Sequence, residues 1–384
     1  MVRELLDVLL ESRKRRAMKL LNKYGDAWLI ISHGRMDSNI EYLLGVHTFG
    51  LVVSVLTPDG LHVLINSLEK SFIKDKEHID SFETFYRRAE FLGKLRQVLR
   101  ELSGMHVLAD FSSPEICPQA SALTYHMYRE LKYLSETYDI ELKPSGRFVY
   151  ELRETKTMEE IKALERSVEE TLKILDNIIV EGIIKPGVSE RKVAAELYRN
   201  AYMISEPAFE IIVASGPNTA NPHHVVSDRK ISGNDIVYID FGIRLLTMCS
   251  DITRVFLVGN PGDDVLRTYE AVFEAQTQAI GILKANIDCS EPDSVARNVL
   301  RDRNIDPKLF KHSLGHPLGV DVHDVGPPLG DAGKGRRIKR FSAYTVEPAV
   351  YFEGKYGIRI EDDVVILEDG VKRLSRAPEE PIGV

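Results

Sequence analysis

The chain has 384 residues, with 50 Lys+Arg against 58 Asp+Glu and a formal net charge of −8. Hydrophobic residues are 43% and charged residues 28%, a globular balance that excludes disordered and fibrous chains. The acidity disfavours non-specific nucleic-acid binding, and no apolar run reaches the ~18 residues a membrane span needs, so neither nucleic acid nor membrane is an expected partner.

In chain order, the opening MVRELLDVLLESRKRR carries Glu4, Asp7 and Glu11 among its leucines. A signal peptide needs an uninterrupted apolar stretch, so this segment predicts an amphipathic helix. Two basic runs, residues 13–16 and 334–340, read as solvated surface. Residues 27–32 (AWLIIS) form a strand-length apolar run. Residues 51–56 and 61–65 flank Thr57-Pro58-Asp59-Gly60, where proline fixes φ and glycine supplies a positive φ, which predicts a hairpin. A helix is expected over 91–102, a strand over 107–110 and a helix over 120–134. Together these form a small α/β module. A boundary is expected at Lys143-Pro144-Ser145-Gly146, giving domains 1–146 and 147–384.

Beyond it, Thr157-Met158-Glu159-Glu160 matches a capping box. Ile161, Leu164, Val168, Leu172 and Leu175 make one helical stripe. Ser189 can cap a second helix. Strands are expected over 211–214, 236–241, 253–258, 344–352 and 358–367, with helices over 265–283 and 293–303. Long helices beside hairpin-linked strands predict an α+β domain with an antiparallel sheet. The three cysteines, Cys117, Cys249 and Cys289, lie far apart and form no CxxC pair, so neither a disulfide framework nor a cysteine zinc site is implied. The cytoplasm is the expected compartment.

Acids recur on the apolar strands of this second domain. Asp240 closes VYID, Asp251 opens DITRVFLV, Glu347 sits within YTVEPAVYF and Glu361 within IRIEDDVVIL. An ionised carboxylate in a sheet must be paired, hydrogen-bonded or metal-bound. A turn between Asp240 and Asp251 can fold their strands together. His316 and His323 lie in HSLGHPLGVDVHD, where Gly315 and Gly319 allow close backbone approach, and His223 and His224 follow Asn221-Pro222. Four carboxylates and an imidazole suit two divalent ions, with Mn favoured and Co, Fe or Zn as alternatives. Two ions ~3.5–4 Å apart can activate water and polarise a carbonyl, which points to hydrolysis. The P-loop, the H-E-x-x-H pattern and the G-x-S-x-G elbow are all missing from the sequence.

The stretches IIVASGPNTANPHH, VYIDFG, SDITRVFLVG, HSLGHPLGVDVHDVG, TVEPAVY and GIRIEDDVVI, in this order, resemble the pita-bread metallopeptidases, specifically the prolidase (Xaa-Pro dipeptidase) and aminopeptidase P type. The resemblance spans about residues 150–375. The first domain resembles the smaller domain that prolidase, aminopeptidase P and creatinase carry ahead of the catalytic one. It implies a small α/β domain followed by a creatinase/aminopeptidase-like pita-bread domain with a curved antiparallel sheet. Asp240, Asp251, His316, Glu347 and Glu361 would be the metal ligands. Asp251 and Glu361 would bridge the ions, and Glu347 would also shuttle the proton of an attacking bridging hydroxide. His223 and His323 would contact substrate and stabilise the tetrahedral intermediate. Arg359 would lie at the same site, and His312 would be a further active-site histidine. The expected substrates are short proline-containing peptides, with prolidase the main reading and aminopeptidase P the alternative. A homodimer is also implied. A non-catalytic peptide- or protein-binding module of the same fold is the alternative of another class. Pro317, where many relatives have glycine, is expected to reshape the substrate wall, and Asp324 stands where archaeal-type prolidases often have glutamate.

Overall fold

A computed structural model describes residues 2–34, 37–113 and 116–384, so the helix expected from residue 1 is described from Val2. The chain divides into two compact units, Met1–Glu159 and Glu160–Val384. Among the described residues no helix is long and apolar enough to cross a membrane.

The first unit runs α1 (Val2–Leu21), β1 (Ala27–His33), α2 (Ser38–Leu44), β2 (Leu51–Thr57), β3 (Gly60–Asn66), β4 (Ser81–Phe85), α3 (Arg88–Glu101), β5 (His106–Ala109), α4 (Tyr125–Thr137), β6 (Glu141–Pro144) and α5 (Gly146–Arg153). Its sheet has the order β4-β3-β2-β1-β5-β6. Strand β2 is antiparallel to both neighbours, and the pairs β3–β4, β1–β5 and β5–β6 are parallel. The hairpin expected at Pro58-Asp59 closes with Thr57 opposite Gly60, whose φ is 149°. Strand alternation sends Ala27, Leu29 and Ile31 to one face, where they form a core with Phe91, Leu95 and Leu99 of α3 and Leu131 and Leu134 of α4.

The first unit runs beyond residue 146, and one expectation is corrected. The unit continues past residue 146 because α5 packs onto the sheet: the Phe148 ring lies edge-on to Trp28 at 4.9 Å, and Ser145 donates to the buried Asp110 at 2.6 Å. The basic run 13–16, expected to be solvated, is exposed only at Arg15. Arg13 is fully buried, with its guanidinium 4.5 Å from the centre of the Tyr42 ring, Lys14 pairs with Asp80 at 2.5 Å, and Arg16 donates to Thr155 O at 2.7 Å. Their long aliphatic stems cover apolar surface while the charged ends find partners. In the run 334–340 every residue but Ile338 is exposed, as expected.

The second unit runs α6 (Met158–Val180), α7 (Glu190–Tyr202), β7 (Glu206–Pro207), β8 (Ile212–Ser215), β9 (Ile236–Phe241), β10 (Ile243–Leu245), β11 (Met248–Cys249), β12 (Ile252–Leu257), α8 (Asp263–Ile282), α9 (Glu291–Asp302), β13 (Ala343–Val346), β14 (Ala349–Phe352), β15 (Tyr356–Arg359), β16 (Asp362–Ile366), β17 (Val371–Arg373) and β18 (Ile382–Gly383). Pairing is antiparallel throughout except between β12 and β18. Ser189 caps α7 as expected, accepting from Lys192 N. Helices α8 and α9 cover the core that Tyr344, Val346, Val350, Ile358 and Val364 build from the sheet side.

Two long strands expected from sequence are each broken. Residues 344–352 split into β13 and β14 at Glu347-Pro348, and 358–367 into β15 and β16 at Ile360-Glu361. Strand β13 pairs with β16, whereas β14 pairs with β15, so the chain changes sheet at each glutamate. Pro348 has no N–H to give a ladder, which favours the break there.

Candidate metal centre

Each acid is delivered by the backbone. Strands β9 and β12 pair with Asp240 opposite Thr253, so the turn between them returns Asp251 towards Asp240, as the sequence predicts. The crossing is tight: a Cβ on Gly242 would stand 1.7 Å from Ser250 O, so only glycine fits. Glu347 and Glu361 enter at the two sheet changes. His316 comes from a segment laid along β13, where His316 N donates to Thr345 Oγ1 at 3.1 Å and Thr345 N donates to His316 O at 3.0 Å. A Cβ on Gly315 would lie 1.9 Å from Thr345 O, which fulfils the close approach expected at that glycine.

These residues line one cavity of about 490 Å³, together with His223, His312, His323, Arg359, Phe209, Ile212 and Val322. One donor atom each from Asp251, His316 and Glu361 lie within 4.8 Å of one another. His316 Nε2 is 3.4 Å from Asp251 Oδ2 and 3.5 Å from Glu347 Oε1. Its Nδ1 lies 3.2 Å from Pro317 O, a contact that holds the proton on Nδ1 and turns the Nε2 lone pair to the acids. Arg359 pairs with Asp240 Oδ2. The rings of His316 and His323 meet edge-on, 4.1 Å between centres.

The electrostatics are those of a site built for a cation. Burial, reinforced by Glu361 and Asp240, pushes the Asp251 carboxyl well above its ordinary pKa. Burial, then Glu347 and Asp240, does the same to Glu361. Burial lifts Glu347 to about 8, with Arg359 opposing and Asp240 adding. Burial and His323 push His316 down to about 3, and burial and Arg359 push His312 down to about 4. Asp240 Oδ1 and Asp251 Oδ1 are buried and have no hydrogen-bond partner. A buried carboxylate oxygen without a donor is costly. A divalent cation would supply the missing partner and cancel the repulsion, so the residues present fit such an ion.

Sequence reading overlooked the groups that hold this arrangement. Thr253 Oγ1 donates to Glu361 Oε2 at 2.6 Å and receives Arg359 Nε at 3.1 Å. The Tyr351 hydroxyl joins Arg359 Nη1 at 3.1 Å to His312 Nε2 at 3.0 Å. Asp363 Oδ2 accepts from Asp251 N at 3.0 Å. Glu190, fully buried at the start of α7, accepts from Ser215 N and Oγ, Asn218 Nδ2, His224 Nε2, and Ser227 N and Oγ. It thereby ties down the loop that carries His223. Thr253 and Asp363 sit beside acids already singled out, and that adjacency was the available signal. Glu190 lies far from the acids in sequence and gave none.

Pro317 is not among the residues lining the cavity. It bridges to Tyr344, and its carbonyl accepts from Asp324 N at 2.9 Å. Asp324 is itself buried and accepts from Val320 N at 3.2 Å, so both residues shape the turn between His316 and His323.

Comparison with known proteins agrees with this architecture. An Xaa-Pro dipeptidase of Pyrococcus horikoshii is 31% identical over 90% of this chain and 92% of its own. An uncharacterized peptidase of Bacillus subtilis is 32% identical over 95% and 98%. The crystal structure of an X-Pro aminopeptidase from Thermotoga maritima matches with a TM-score of 0.85 at 27% identity, covering 96% of this chain and all of that one. A dipeptidase structure from Pyrococcus horikoshii matches at 0.80 and 31% identity, covering 97% of this chain and 100% of its own. Fold and site together define a metal-dependent peptidase with the expected pita-bread architecture. Residues 162–368 match the model of metallopeptidase family M24, and the chain belongs to that family, which depends on divalent metal.

Proposed function

We propose that this protein hydrolyses the bond between a residue and a following proline, using two divalent ions held by Asp240, Asp251, His316, Glu347 and Glu361. The observation that carries the reading is the pair of buried, partnerless oxygens on Asp240 and Asp251, in a cavity that the other three acceptors also line. Ligand hardness favours Mn, with Co, Zn or Fe as alternatives. When bound, two such ions supply Lewis acidity at the scissile carbonyl and bring the pKa of water down to about 7.

The chain's own residues do the rest. Phe209, Ile212 and Val322 give the cavity an apolar wall against which a pyrrolidine ring can pack. Arg359 fixes Asp240, and Thr253 fixes Glu361. A water oxygen adds to the carbonyl carbon, and Glu347 takes its proton. The C–N bond breaks and Glu347 returns the proton to the proline nitrogen. That nitrogen carries no hydrogen while in the peptide bond, so it must be protonated to leave. The imidazoles of His223 and His323 face the same cavity and serve the oxygen of the tetrahedral intermediate.

Dipeptides are the main substrate in this reading, supported by relatives named Xaa-Pro dipeptidase. Longer Xaa-Pro peptides are the second reading, supported by the likeness to the Thermotoga X-Pro aminopeptidase. A cytoplasmic homodimer remains part of the proposal. Asp251→Ala should lose both stoichiometric metal and peptide cleavage. Full cleavage by that variant would contradict the reading, and two bound metals in the wild type without cleavage of any proline peptide would favour a binding module.

A further inference from the structure

A second cavity lies in the first unit and is lined by residues of that unit. It measures about 730 Å³, within the ~300–1,000 Å³ range of small-molecule sites. It opens at one end of the sheet, beside the carboxyl ends of β1 (His33), β3 (Asn66) and β4 (Phe85). Open α/β sheets bind ligands at that edge, because the helices that follow the strands start there.

The interior is apolar: Ile31, Phe85, Phe91, Leu95 and Leu134 are buried, and Leu92 and Met127 are half-buried at the wall. The mouth is polar. Arg88, His33 and His126 are exposed there, against one acid, Glu130. Arg88 makes no hydrogen bond or ion pair with a described residue, so its guanidinium is free for a ligand. It is also the first residue of α3, whose first-turn acid, Glu90, is engaged by Tyr86 N at 2.8 Å.

We propose that the first unit binds a small amphipathic monocarboxylate in this cavity, with its apolar body among Phe85, Phe91, Leu95 and Met127 and its carboxylate at Arg88. The proposal does not rest on the peptidase reading. Apolar burial supplies the affinity, and the guanidinium selects the sign of the head group.

The test uses the full chain and three probes of equal chain length: octanoate, octanol and octylammonium. Binding is followed by ligand-observed NMR titration. The dissociation constant expected for octanoate is on the order of a millimolar, from the usual free energy per ligand atom. Octanol should bind more weakly and octylammonium most weakly. Arg88→Ala should weaken octanoate by about fivefold, the measure of one partly exposed charge pair, and leave octanol unchanged. Met127→Trp, or Leu92→Trp if that variant fails to fold, should weaken all three by filling the cavity. Failure of octanoate to saturate, equal binding of all three head groups, or indifference to the filling variant would each overturn the proposal.

Discussion

Single atoms decide the chemistry of the metal centre. The two partnerless oxygens on Asp240 and Asp251 fit a cation, and the hydroxyl of Thr253 sets where Glu361 points. Thr253→Val keeps the volume and removes the hydroxyl from between Arg359 and Glu361. We expect metal affinity to fall by about 10–100-fold, the usual cost of losing a group that orients a ligand. Titration with Mn against a chelator measures it, and unchanged affinity would mean that Glu361 is held by packing alone. A second prediction concerns His78 in the first unit. It is 3% exposed, lies 3.0 Å from Leu43 O through Nε2, and has an unpartnered Nδ1. Burial, then Lys76, pushes its pKa from 6.5 down to about 4, against the opposing hydrogen bond to Leu43 O. The unfolded chain therefore takes up a proton below pH 6.5 that the folded chain refuses until about pH 4. Stability from this group is complete above 6.5 and is lost as pH falls through that window. The loss should amount to about 2 kcal/mol by pH 4.5. His78→Gln should flatten that part of the stability–pH curve in urea titrations, and an unchanged slope would place the acid sensitivity elsewhere.

Elements carry those atoms into place, and here the sequence was only partly legible. Apolar runs located β9 and β12, and a Pro-Asp-Gly turn signal located the hairpin at Pro58-Asp59. They did not locate the breaks at Glu347 and Glu361. An unbroken β-branched run reads as one strand, and which sheet each half joins depends on partners distant in sequence. The burial of Arg13 escaped for the same reason: four basic residues read as solvated until α2 places Tyr42 against the first of them. Glu190 is the clearest case of an element-level tie. Burial would raise its pKa, but hydrogen bonds from Ser227, Asn218, Ser215 and His224 hold it below the ordinary carboxylate range. Glu190→Ala should destabilise the second unit by about 3 kcal/mol, since it strands several donors around a buried site. It should also raise KM more than it lowers metal content, because the loop it anchors carries His223 and no proposed metal ligand. Denaturant unfolding and elemental analysis separate these effects, and wild-type stability would show that the loop is held by other contacts.

At the scale of the whole molecule, the order of the motifs was enough to read the second unit's architecture, and the family comparison bears it out. The first unit's class was also legible, but its cavity was not. A space between α3, α4 and the strand ends has no local pattern in the sequence. The measurement that tests the central claim most directly is a cleavage assay on the intact chain, stripped of metal and reloaded with Mn or Co. The substrates are an Xaa-Pro dipeptide, an Xaa-Pro-Yaa tripeptide and a Met-Ala-Yaa peptide. The account predicts metal-dependent cleavage of a proline substrate, with the dipeptide preferred and Met-Ala-Yaa untouched. Two bound ions with both proline substrates intact would contradict it.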